Sequence, residues 1–91
     1  MPHILVVEDE SSIADTLVYS LNRESYQTSW TTLGLEAIAL CKNTPPDLIL
    51  LDIGLPDCSG FEVCKAIRQF SDVPIIFLTA RTEEIDVIVG L

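Results

Sequence analysis

The sequence of 91 residues is poor in positive charge. Five Lys and Arg residues stand against fourteen Asp and Glu residues, which gives a formal net charge of −9 at pH 7. Clustered cations bind nucleic-acid backbones and anionic membrane surfaces, so we expect neither direct nucleic-acid contact nor membrane association. A chain this acidic is suited to binding a cation or a basic partner surface.

The sequence also lacks an uninterrupted apolar run of about 18 residues, which excludes a membrane-spanning helix. Residues 1–3 lack the basic start of a secretory signal, and the acidic residues 8–10 follow soon after. Cys41, Cys58 and Cys64 have neither CxxC spacing nor a companion histidine cluster. We interpret them as free thiols in a reducing compartment. Together these absences predict a cytoplasmic location.

What the chain does contain is an alternation of strand-like and helix-like segments. Strands are predicted over residues 4–7, 26–31, 47–52 and 74–79. Helices are predicted to begin near Ser12, Gly34, Ser59 and Thr82. Short, continuously apolar runs are typical of strands buried on both faces of a parallel sheet. The order βαβαβαβα therefore predicts one doubly wound α/β domain with a parallel sheet.

Polar residues follow three of the predicted strands. Glu8 and Asp9 come after the first, Asp52 ends the third, and Thr79 ends the fourth. In open parallel sheets, ligands bind at the carboxyl ends of the strands. If the first, third and fourth strands are neighbours, these residues meet in one pocket. Taken singly, each carboxylate also fits a helix cap or a solvated loop end, and Thr79 also fits a cap of the next turn.

Three carboxylates in one pocket repel one another, and two outcomes relieve the repulsion. Either some of the groups are protonated, with raised pKa values, or a cation lies among them. A hard divalent ion such as Mg²⁺ binds one or two carboxylates and keeps several waters. With the charge neutralised, Asp52 can act as a nucleophile toward phosphorus, and Thr79 can donate a hydrogen bond to the product.

Three motifs in this order resemble the receiver domain of two-component response regulators. They are VVEDE (residues 6–10), DIGLPDxxG (residues 52–60) and FLTAR (residues 77–81). The combination is specific and covers the whole chain, whereas each motif alone is weak. The LP and TAR segments are similar to the OmpR/PhoB subfamily, whose members join a receiver to a winged-helix DNA-binding domain. Residues 13–19 and 54–62 are most similar to CreB-type regulators.

The resemblance implies a flavodoxin-like sheet in the order 2-1-3-4 and a role for each pocket residue. Asp52 would accept a phosphoryl group from the phosphohistidine of a sensor histidine kinase. Asp9 would bind Mg²⁺ directly and Glu8 through water, and Asp52 and the backbone carbonyl of Gly54 would complete the metal site. Thr79 would be the switch hydroxyl that moves toward the phosphoryl group. The domain would be a signalling switch and not an enzyme with a foreign substrate.

The sequence departs from the family pattern after Thr79. The family continues with a fifth strand, a Lys-Pro step and a last helix, whereas no lysine follows Thr79 here. We therefore expect residues 1–91 to be a receiver domain that is incomplete at its C-terminus. The fourth strand would then keep an open apolar edge, and this edge or the face of the fourth helix would allow a homodimer or a swapped arrangement.

Two other functions remain open at this point. A receiver-like interaction module that works without phosphorylation would explain the absent lysine. A metal-dependent phosphohydrolase of the haloacid-dehalogenase type also uses an aspartate at a strand end. Such enzymes usually carry a second aspartate two residues after the nucleophile, and Gly54 occupies that position here. This departure disfavours the phosphohydrolase.

Overall fold

The computed structural model describes residues 2–78 and the backbone of residues 87–90. The strands are β1 (His3–Val7), β2 (Gln27–Thr31), β3 (Leu48–Asp52), β4 (Ile75–Leu78) and β5 (Val87–Gly90). The helices are α1 (Ser11–Arg23), α2 (Gly34–Asn43) and α3 (Gly60–Ile67). Each of the first three strands is followed by a helix, as the alternating sequence pattern predicts.

The sheet has the strand order β2-β1-β3-β4-β5, and its first four strands are parallel. The predicted order 2-1-3-4 and the flavodoxin-like fold are thus confirmed. Val7 is in register with Leu51, and Asp52 is in register with Leu78. The carboxyl ends of β1, β3 and β4 consequently lie side by side, and the residues that follow them share one edge of the sheet.

The two faces of the sheet are covered by different helices. Side chains alternate between the faces of a strand, so Leu5 and Val7 pack with α2 and α3, and Ile4 and Val6 pack with α1. Burial of each such aliphatic side chain contributes about 1.5–3 kcal/mol. This packing fixes β1 and β3 in the middle of the molecule. Among the described residues, no helix has the length and apolar character needed to cross a membrane.

The outer edge of β4 differs from the sequence-based expectation. β5 pairs with β4 in an antiparallel manner, with Phe77 in register with Ile88, so the expectation of an open β4 edge is wrong. β-Branched residues favour strands, and an apolar strand edge gains backbone hydrogen bonds from a neighbour. The predicted helix start at Thr82 lies outside the described residues, but residues 87–90 form a strand and do not continue such a helix.

Two helix starts illustrate what local sequence can predict. Ser59 is the N-cap of α3, and its hydroxyl accepts a hydrogen bond from the Phe61 N–H at 3.1 Å. By contrast, α1 begins at Ser11, and Glu10 occupies the N-cap position without a side-chain capping bond. The predicted start near Ser12 is therefore one residue late. The prediction relied on a capping side chain, and no side chain caps this helix.

Candidate functional site

Three carboxylates meet at the carboxyl edge of the sheet. The side-chain oxygens of Glu8, Asp9 and Asp52 lie within 4.8 Å of one another. Glu8 and Asp52 are buried, with 0% and 5% of their surface exposed, and Asp9 is exposed. The pairing of β1 with β3 causes this convergence, because it places the residues after Val7 next to the end of β3. The structure thus brings together three of the residues that the sequence places in one pocket.

Glu8 is held from several sides. Its N–H donates to the carbonyl of Thr31 at 3.1 Å, and its carbonyl accepts from the indole N–H of Trp30 at 2.8 Å. Its Oε2 accepts from the Glu10 N–H at 3.1 Å. The other carboxylate oxygen, Oε1, is buried and has no hydrogen-bond partner among the described residues. A buried acceptor in this state favours a proton or a cation beside it.

The electrostatics of the pocket follow from burial. The pKa of Glu8 is raised from 4.5 to about 7, mainly by loss of solvent and against the opposing hydrogen bond from the Glu10 backbone. The nearby Asp52 and Asp9 carboxylates add to this rise. Burial likewise raises the pKa of Asp52 above its ordinary value of 3.8. Without a cation, the pocket therefore holds a proton more readily than isolated carboxyl groups do.

These residues fit a magnesium ion. Mg²⁺ prefers oxygen ligands at about 2.1 Å, so two ligands on one ion can be separated by about twice that distance. The Glu8, Asp9 and Asp52 oxygens lie within 4.8 Å of one another, which is close enough for one hydrated ion to contact them directly or through a bound water. The unpartnered Glu8 Oε1 gives the same indication. The pocket therefore has the donor set of a hard divalent cation site.

The loop of residues 53–59 joins β3 to α3 beside the pocket. The Gly60 N–H donates to the Ile53 carbonyl at 2.7 Å, and Gly54 forms a β-bridge with Ser59. A Cβ at Gly60 would overlap the backbone carbonyl of Asp52, so only glycine allows this close approach. A hydrogen bond with the Gly54 backbone partly offsets the raised pKa of Asp52. Gly54 therefore lies beside Asp52. The predicted switch residue Thr79 lies outside the described residues.

Two residues near the pocket were not found by the sequence analysis. Trp30 binds the Glu8 carbonyl although 41% of its surface is exposed. Asp57 accepts hydrogen bonds from the N–H groups of Gly34 at 2.8 Å and Leu35 at 2.9 Å. Both contacts join residues more than 20 positions apart. A local motif carries no signal for them, and only the strand order would have suggested the Trp30 contact.

Comparison with known protein families matches residues 4–91 to the response regulator receiver domain. The transcriptional regulatory protein AfsQ1 of Streptomyces coelicolor is 44% identical over 91 residues, which is 100% of this chain and 40% of the relative. CreB of Escherichia coli is 44% identical over 89 residues, 97% of this chain and 39% of the relative. CreB is thus among the relatives, as the finer resemblance implies, and AfsQ1 matches at the same identity. The chain spans about 40% of the length of these curated relatives.

Solved structures agree with the family match. The non-phosphorylated HemR receiver domain from Leptospira biflexa superposes with a TM-score of 0.81 at 35% identity, covering 92% of this chain and 68% of that one. The Vibrio cholerae chemotaxis protein CheY4 gives a TM-score of 0.82 at 32% identity, covering 91% of this chain and 72% of that one. Receiver domains bind Mg²⁺ in an acidic pocket, and this chain has an acidic cluster of Glu8, Asp9 and Asp52. On its fold, its acidic cluster and these matches, the chain belongs to the family of response regulator receiver domains.

Proposed function

We propose that this domain is the phosphoacceptor switch of a two-component pathway and that Asp52 receives the phosphoryl group. The observation that supports the proposal most directly is the convergence of three carboxylates at the end of β3. Asp52 ends a central strand and is almost fully buried, so its carboxylate is held in one place. The exposed Asp9 leaves one side of the pocket open to a phosphodonor.

In the proposed reaction, a carboxylate oxygen of Asp52 attacks the phosphorus of a phosphohistidine on a sensor histidine kinase. A phosphorus–oxygen bond forms while the phosphorus–nitrogen bond breaks. The imidazole leaves with the electron pair and takes up a proton. The products are an aspartyl phosphate on this chain and an unmodified histidine on the kinase. Response regulators related to this chain act with sensor kinases, which supports this choice of donor.

The other residues of the pocket would prepare Asp52 for this attack. Bound Mg²⁺ would supply the positive charge that reduces repulsion between the carboxylates and the phosphoryl oxygens. We assign Asp9 and Asp52 as direct ligands, Glu8 as a ligand through water, and the Gly54 backbone carbonyl as a further ligand. Thr79 keeps its proposed role as the switch hydroxyl, which donates a hydrogen bond to the phosphoryl group.

The output of the switch would lie in another part of the protein. Related proteins are described as transcriptional regulatory proteins, and one as a DNA-binding response regulator. We propose that phosphorylation here controls transcription through an output domain, without direct nucleic-acid contact by this acidic chain. We also propose a cytoplasmic location and no turnover of a foreign substrate.

The test is phosphorylation by acetyl phosphate, a small phosphodonor, followed by intact-mass spectrometry. We expect one phosphoryl group per chain with Mg²⁺, and none after chelation or in Asp52→Asn. Asp47→Asn is the matched control, because Asp47 binds the His3 N–H at 2.7 Å at the opposite end of the sheet. It should be labelled like the wild type. Undiminished labelling of Asp52→Asn would refute the assignment.

A further inference from the structure

Asp57 has no part in the proposed chemistry, yet it joins the β3–α3 loop to α2. Its Oδ1 accepts from the Gly34 N–H at 2.8 Å, and its Oδ2 accepts from the Leu35 N–H at 2.9 Å. The first N–H groups of a helix have no partner within the helix, so Asp57 satisfies two of them at the start of α2. Because the donors lie 23 and 22 residues away, this is a tertiary contact and not a local cap.

Close packing accompanies these hydrogen bonds. A Cβ at Gly34 would overlap the Cys58 Sγ and the Val63 Cγ2. The loop residues Leu55 and Cys58 are partly buried against the larger core cluster, which includes Val63. The tip of the loop is therefore held against the start of α2 by backbone hydrogen bonds from the helix and by side-chain packing.

The other end of the loop belongs to the acidic pocket. The bond from the Gly60 N–H to the Ile53 carbonyl and the bridge between Gly54 and Ser59 close the base of the loop. Gly54 also contacts Asp52 through its backbone. Since the loop is short and its base adjoins Asp52, we expect a displacement of its tip to move the backbone beside Asp52.

We propose that Asp57 is a positioning residue for the acidic pocket, because it anchors the loop that carries Gly54 to the N-terminus of α2. This inference rests on the proposed function, in which the pocket binds Mg²⁺ and Asp52 is phosphorylated. Asp57 acts through the loop and touches neither the ion nor the phosphoryl group. If it were only a helix cap, its loss would reduce stability and leave the pocket unchanged.

The test compares three variants that differ in what they remove. Asp57→Ala removes both acceptor oxygens, and Asp57→Asn keeps one. Ser59→Ala is the matched control, because it removes the N-cap of α3 in the same loop and leaves the bonds to α2 in place. For each variant, calorimetry gives the Mg²⁺ dissociation constant, acetyl phosphate with saturating Mg²⁺ gives the labelling rate, and urea gives the stability.

We expect Asp57→Ala to weaken Mg²⁺ binding roughly tenfold, which is the lower end of the range typical of groups that orient metal ligands. Its labelling rate should fall as well. Asp57→Asn should lie between Asp57→Ala and the wild type. Ser59→Ala should be less stable than the wild type and should keep the wild-type Mg²⁺ affinity and labelling rate.

A stability loss in Asp57→Ala with unchanged Mg²⁺ affinity and labelling rate would overturn the inference. If Asp57→Ala does not fold, Asp57→Asn decides. Weaker Mg²⁺ binding than in Ser59→Ala supports the positioning role, and equal binding overturns it. Failure of the proposed function has a different signature, namely an unlabelled wild type or a labelled Asp52→Asn. The Mg²⁺ affinities still test Asp57 in that case.

Discussion

Asp52 and Asp57 are five residues apart, and their surroundings shift the pKa of the side-chain carboxyl group in opposite directions. Burial at the end of β3 raises the pKa of Asp52. Asp57 lies at the surface, where hydrogen bonds from the N–H groups of Leu35 and Gly34 lower the pKa of its carboxyl group. One carboxylate is destabilised in its charged form, and the other is stabilised in it.

Asp52 belongs to a cluster in which negative charge is unfavourable until a cation binds. Asp57 makes a contact in which its negative charge stabilises the fold. At Asp52 the neighbours are other carboxylates, so a cation relieves the repulsion and gains affinity from it. At Asp57 the neighbours are the backbone N–H groups of a helix start, whose partial positive charge favours an anion. Composition alone predicts neither behaviour, since it counts both residues among fourteen acidic ones.

The largest expected effect tests whether the buried cluster holds the cation. Asp9→Asn should weaken Mg²⁺ binding by about a hundredfold or more, because loss of a ligand exceeds the ten- to hundredfold cost of losing a supporting group. Calorimetric titration measures the dissociation constant, with Asp47→Asn as a control at the opposite end of the sheet. Equal Mg²⁺ affinities for Asp9→Asn and Asp47→Asn would show that the pocket binds Mg²⁺ no better than other acidic residues on the surface.

The next effect concerns pH without Mg²⁺. The folded state keeps a proton on Glu8 up to about pH 7, whereas the ordinary pKa is 4.5. Between these values the folded state binds more protons, so the free energy of unfolding falls as pH rises. The slope is at most about 1.4 kcal/mol per pH unit, and solvent that reaches the pocket beside Asp9 narrows the pH range over which it applies. Urea unfolding of Glu8→Gln should lack this decrease.

Asp57 should give the opposite dependence, which sharpens the comparison. Its lowered pKa contributes stability above the ordinary value of 3.8, and this stability is lost as the pH falls through the folded-state pKa. The stability difference between the wild type and Asp57→Asn should therefore shrink in acid. A Glu8→Gln variant with the wild-type pH profile, or an Asp57→Asn difference that grows in acid, would contradict this account.

The smallest effect concerns the backbone of Glu8. Trp30→Phe keeps an aromatic ring and removes the hydrogen bond to the Glu8 carbonyl. We expect a loss of about 1 kcal/mol in unfolding free energy and a weaker Mg²⁺ affinity by severalfold. Urea unfolding and calorimetry measure the two quantities. Tyr26→Phe is the aromatic control, and an equal Mg²⁺ affinity for both variants would show that Trp30 does not orient the pocket.

Much of the fold was predictable because its signals are local. The apolar runs at β1, β3 and β4 mark buried strands, and the register of β1 with β3 then brings Glu8, Asp9 and Asp52 together. The contact of Asp57 with α2 was missed because it joins distant segments. The pairing of β5 with β4 was missed because the helix signal at Thr82 was given more weight than the β-branched residues 87–89 that follow it.

The most direct measurement is anomalous diffraction from a crystal of the protein grown with Mn²⁺, which takes the octahedral oxygen ligands that Mg²⁺ also prefers. The account predicts one strong peak in the pocket, within about 2.5 Å of carboxylate oxygens of Asp9 and Asp52. A strong peak elsewhere on the protein, with no density between Glu8, Asp9 and Asp52, would contradict it.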